Sequence, residues 1–180
     1  MKAGLCYNGT MRETVKTRFE VGDCVVYPGY GVGHIVGQEE RAMNGDSRTF
    51  LVISFKEAEN ESKVMIPVSN TGDVGLRAPS PKKEAKKALD LLSDGSMEVP
   101  AGWKDRFAAH GDMLARGDIL SVAQVLKTLW VLNRKKPLSF REKKMYQKAL
   151  LLMSSEVALI LGKSREETEA QILKKLEKLA

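Results

Sequence analysis

Phe19-Glu-Val-Gly-Asp-Cys-Val-Val-Tyr-Pro-Gly-Tyr-Gly-Val-Gly-His-Ile-Val-Gly37 is the stretch on which the fold turns. Cys24-Val-Val-Tyr27, rich in β-branched and aromatic side chains, reads as a short strand. Pro28-Gly29-Tyr30-Gly31 reads as its turn, and Val32 to Val36 as the start of a second strand. Glycines at 29, 31 and 33 supply positive φ or close backbone approach, which the corners of a small, strongly curved sheet require. The hairpin therefore predicts the opening of a small barrel.

Outward from that hairpin, Gln38 to Arg41 continue the second strand toward Asn44-Gly45-Asp46, a turn signal between extended runs. Phe50-Leu-Val-Ile-Ser-Phe55 is the next strand, Glu57 to Glu61 an acidic turn, and Lys63 to Val68 a further strand. This meander, over residues 18–77, predicts a five-stranded SH3- or Tudor-like barrel. Residues 1–17 show no periodicity and read as a disordered tail. Beyond the linker-like Ala78-Pro-Ser-Pro81, with Ser80 as N-cap, five helices are expected in residues 78–180. The first runs from Lys82 to Leu92, and the second from Trp103 to Arg116, closed by Gly117. The third is capped by Asp118 and runs to about Leu132, with Val122, Val125, Leu126 and Leu129 on its stripe and Trp130 read as core. Ser139-Phe-Arg-Glu142 and Ser164-Arg-Glu-Glu167 are capping boxes opening the fourth and fifth. The fourth has Tyr146, Leu150, Met153, Val157 and Ile160 facing inward. The expected fold class is α+β: an N-terminal SH3/Tudor-like small β-barrel followed by a C-terminal five-helix compact domain.

Hydrophobic residues make up 43% and charged residues 29% of the chain, an ordinary balance for a soluble protein. No apolar run approaches a membrane span, so a cytoplasmic location is expected, and Cys6 and Cys24 are expected to be reduced thiols. The net charge of +6 is unevenly placed. Residues 1–77 carry 9 Lys and Arg against 10 Asp and Glu, and residues 78–180 carry 20 against 13. A basic half favours a polyanion, although a solvated helical surface accounts for the same charge. Within it Arg141, Lys144 and Lys148 share one helix face by i, i+3, i+7 spacing, with Lys143 beside them.

Chemistry of bond making finds no footing. The glycine spacing fails for a dinucleotide loop and a strand follows where a helix is needed. There is no P-loop or nucleophile elbow, and His34 and His110 are too far apart for a local metal motif. His34 reads as a strand residue facing solvent. No enzyme, cofactor or metal is expected. Trp103, Phe107, His110 and Leu114 recur at helical spacing, which a core tryptophan explains without any ligand.

The run F-x-V-G-D-x-V-V-Y-P-x-x-G-V-G resembles the opening of the CarD/CdnL family of bacterial transcription regulators, whose N-terminal module also occurs in the transcription-repair coupling factor. Lys63-Val-Met-Ile-Pro-Val68, Gly102-Trp-Lys-Asp-Arg-Phe107, Val122-Ala-Gln-Val-Leu126 and Leu138-Ser-Phe-Arg-Glu-Lys-Lys-Met145 continue the likeness from about Arg18 to the C-terminus. The resemblance implies a non-enzymatic regulator, a monomer, that docks its barrel on the RNA polymerase β subunit and stabilises the promoter open complex. It assigns minor-groove DNA contact to Trp103, phosphate contacts to Arg106, Lys143 and Lys144, and polymerase binding to Arg41, Val64 and Met65. Asp105 stands where relatives often carry a basic residue, so weak DNA binding in isolation is expected. Two other readings use the same chain: a protein adaptor on the polymerase without DNA contact, and an enzyme holding a nucleotide at the glycine turn.

Overall fold

Strand-forming runs in the first part of the chain pair in simple succession. A computed structural model describes residues 18–43, 46–57, 60–95 and 102–179, apart from the side chains of residues 43, 57, 60 and 103. The strands β1 (Cys24–Tyr27), β2 (Gly31–Met43), β3 (Asp46–Glu57) and β4 (Asn60–Pro67) form one antiparallel sheet in the order β1-β2-β3-β4. Gly29 and Gly31 adopt φ of 80° and 89°, turning the chain between β1 and β2. Gly33 serves differently: a Cβ there would stand 2.7 Å from Ile53 and Phe55, so its bareness lets the sheet curl inward. A bulge between Ile35 and Gly37 adds to the bend. Val25, Ile35, Leu51, Ile53, Phe55 and Ile66 fill the resulting concavity.

Among the described residues four strands replace the five expected. The returning chain touches the free side of β1 through a single bridge, Val26 with Arg77, at 2.8 and 3.1 Å. Pro79 and Pro81 follow at once and lack the donors a longer ladder needs. The Asn44-Gly45 connection lies outside the described residues; β2 and β3 pair Met43 with Asp46 across it.

Five helices follow: α1 (Lys82–Leu91), α2 (Trp103–Arg116), α3 (Ile119–Lys135), α4 (Phe140–Leu161) and α5 (Arg165–Leu176). Asp118 caps α3 by accepting from the Ser121 amide, and both expected capping boxes form. Ser80 does not cap α1. Pro81 occupies that position without a side-chain bond, while the Ser80 amide and hydroxyl both donate to Glu156. The helical core is built from Leu89, Leu92, Val125, Leu126, Leu129, Met153, Ile172 and Leu176, with Trp130 packed against it from a half-buried position.

Helix α4, at 22 residues, packs on α1, α3 and α5 and also on β2. Its Leu152 and Ser155 side chains approach Gly31, and Lys148 Nζ reaches the Gly29 turn. Arg77 spans the junction, donating to both Glu156 oxygens at 2.7 and 2.8 Å and to the Gly117 carbonyl at 2.6 Å. Sheet and helices are thus joined by an ion pair whose carboxylate is buried, beside close packing. No described helix is long and apolar enough to cross a membrane.

Candidate nucleic-acid interface

The capping box that starts α4 decides which of its charges face outward. Glu142 turns back onto Ser139, accepting from its amide at 3.0 Å and its hydroxyl at 2.7 Å. Those bonds, chiefly the hydroxyl's, hold its carboxyl below the usual range despite partial burial. The same carboxylate meets Arg106 of α2 at 3.4 Å. Arg141, Lys143, Lys144 and Lys148 remain exposed along α4. The N-terminal end of α4 therefore presents cations while its carboxylate is spent internally.

The Arg106–Glu142 pair places the first turns of α2 and α4 side by side. Trp103 is the first residue of α2, three positions before Arg106. Its side chain lies outside the described residues. Arg106 is 9% exposed, so the structure puts this expected phosphate contact inside the body, on Glu142. His110, one turn further along, is buried beside it; burial first and the Arg106 charge second lower its pKa. Lys143 and Lys144 are exposed, as a phosphate contact requires.

Two clefts of about 710 Å³ each flank this region. One lies between Arg106 and the connection from Leu132 to Glu142, with Phe140 on its wall. The other lies where the Tyr27 to Gly29 turn meets α2 and α4; Phe107 and Leu114 line it together with Arg141, Lys144 and Lys148. The i, i+3, i+7 cations of α4 are thus not merely on an open helix back: they edge an apolar groove at the sheet–helix junction.

The expected partner surface on the sheet is more scattered. β4 is an edge strand whose outer side has no strand partner among the described residues. Val64 and Met65, both half-buried, lie on its opposite faces, Val64 packing on the sheet core. Arg41 lies elsewhere, near the tip of the β2–β3 hairpin and opposite Arg48. From Met65, which pairs with Val52, it is two strands across and four residues along, roughly 13 Å in the strand direction. Arg41 leans on Glu39 at 3.0 Å, which offsets the like charge across the ladder. One bound surface takes in both places only if it follows the hairpin as well as the edge.

Several contacts have no signal in the sequence. Arg77 and Glu156 are 79 positions apart, and a lone buried glutamate in an amphipathic helix carries no periodic signal. Tyr27 and Tyr30 stack at 4.9 Å across the turn, with Tyr30 also against Phe55. Phe140 was legible only as the second residue of a capping box. Cys24 Sγ stands 3.4 Å from His34 Nδ1, and His34 is exposed as expected.

The chain matches two family models, one described as the CarD-like/TRCF RID domain over residues 19–78, the other as the CarD C-terminal domain over residues 87–173. It is also similar to YdeB of Bacillus subtilis (strain 168), a protein named as a candidate transcription factor. The two are 27% identical over 152 residues, 84% of this chain and 98% of YdeB.

Proposed function

The chain belongs to the CarD-like family of transcription factors, and from that premise we propose that it binds the RNA polymerase β subunit and stabilises the promoter open complex. In this reading residues 18–77 form the polymerase-interacting unit and residues 78–180 the DNA-facing one. The outer edge of β4, with Val64 and Met65, receives a strand of the β subunit, and Arg41 adds a polar contact at the hairpin tip. Trp103 enters the minor groove beside the melted region, and Lys143 and Lys144 hold backbone phosphates. Arg106, buried on Glu142, positions the start of α2 rather than touching DNA.

The observation that carries the proposal is the row of exposed cations at the start of α4, joined through Arg106–Glu142 to the first turn of α2. Chemistry of this kind binds phosphate without reading sequence. Weak DNA affinity is sufficient, because docking on polymerase raises the effective concentration of the upstream duplex. A gain of about 1.4 kcal/mol shifts the open-to-closed ratio about tenfold.

Open-complex stability measured against salt tests this directly. The double variant Lys143→Glu with Lys144→Glu is expected to weaken the effect and to lower the slope of log affinity against log salt by about 2. An unchanged slope and unchanged stimulation favour an adaptor that never touches DNA.

A further inference from the structure

Phe140 is the most exposed large apolar side chain among the described residues. It begins α4 with 71% of its surface exposed, although Leu138, two residues earlier, is buried. Its surroundings are one-sided in charge. Between Arg134 and Lys148 the chain carries seven Lys and Arg and one carboxylate, Glu142. That carboxylate is occupied by Ser139 and Arg106, whereas Arg134, Lys135, Lys136, Arg141, Lys143 and Lys144 are all exposed. Lys144 Nζ stands 4.7 Å from the centre of the Phe140 ring. An exposed aromatic ring fringed by cations, with the local acid withdrawn, fits a nucleic acid better than a protein. Protein interface centres exclude charge, whereas single-stranded bases stack on aromatic faces inside positive grooves.

We propose that Phe140 is a second DNA-contacting aromatic, stacking on an unpaired base at the edge of the melted promoter while Arg141, Lys143 and Lys144 take the flanking phosphates. This rests on the reading that the helical half faces promoter DNA, and it adds a contact to a base where that reading has only a wedge and phosphates. The Arg106–Glu142 pair sets the position: it joins the turn bearing Phe140 to the turn that begins with Trp103. Stacking is sequence-tolerant, since every base has a π-face, so the contact suits a factor acting at many promoters. Lys144, now over the ring, is placed to neutralise a phosphate beside the stacked base.

The test titrates the full chain into polymerase–promoter complexes and reads open-complex stabilisation. Phe140→Ala is expected to raise the half-maximal protein concentration about tenfold, the size of one lost base–aromatic stack. Phe140→Trp should keep wild-type behaviour. Melting temperature and binding to polymerase without DNA should not move, since the ring is exposed. Wild-type titration by Phe140→Ala, with Trp103→Ala still defective, overturns this assignment and leaves the proposed function standing. No effect from Phe140→Ala, Trp103→Ala or the Lys143, Lys144 double variant overturns both. Lost polymerase binding by Phe140→Ala in the absence of DNA makes the ring a protein contact and overturns the assignment alone.

Discussion

At the scale of single residues, the charges that are buried explain more than those that are exposed. Glu156 is 3% exposed and satisfies Arg77, the Ser80 amide and the Ser80 hydroxyl together. Removing Glu156 takes the carboxylate from Arg77 and the acceptor from the Ser80 amide and hydroxyl, so Glu156→Ala should cost about 3 kcal/mol in urea unfolding, against well under 1 kcal/mol for Glu39→Ala in the exposed Arg41 pair. Equal costs would show the junction to be a surface contact. His110 gives a pH signature. Its folded pKa lies below the ordinary 6.5, so the unfolded chain takes up a proton first as pH falls. Stability contributed by neutral His110 is full above pH 6.5 and declines as pH drops from there toward the folded value. Glu142 loses its own contribution lower, below the ordinary 4.5. As pH falls below the ordinary 6.5, His110→Gln should flatten the decline of stability on acidification. A decline as steep as that of wild type would locate the titration elsewhere. The burial of His110 was legible, since it shares its stripe with Phe107 and Leu114; that of Glu156 was not, because a charged residue inside a helix shows its partner only once the chain has folded back.

At the scale of elements, legibility followed the range of the signals. Caps and turns are local, and Asp118, Ser139 and Ser164 behave as their spacing predicts. Ser80 has the same local credentials and misled, because Glu156, 76 positions away, competes for its hydroxyl. The fifth strand failed for a similar reason, with Arg77 drawn toward the helices and prolines behind it. The edge strand β4 and the β2–β3 hairpin tip provide the element-scale prediction. Arg41→Glu should reduce retention on the polymerase β subunit while circular dichroism and melting stay near wild type, because Arg41 is exposed and bonds only locally to Glu39. Retention equal to wild type would confine the contact to the β4 edge.

At the scale of the whole molecule, the sheet and the helices are held in one arrangement by Arg77–Glu156, by α4 against Gly31, and by Lys148 at the Gly29 turn. A fixed arrangement matters for the proposed function, since tethering helps only when both sites are reached together. The α+β class and the family were legible in the sequence because their motifs are contiguous. The joining of the two halves was not, because it depends on pairs distant in sequence. In the proposed function Trp103 acts on promoter DNA from a body anchored on polymerase. Its most direct test is the lifetime of a polymerase–promoter open complex after addition of competitor, with wild-type protein or Trp103→Ala. Wild type is expected to lengthen the lifetime and Trp103→Ala to return it to the protein-free value, with melting temperature and polymerase retention unchanged. A lifetime still lengthened by Trp103→Ala, or one lost together with the fold, would contradict it.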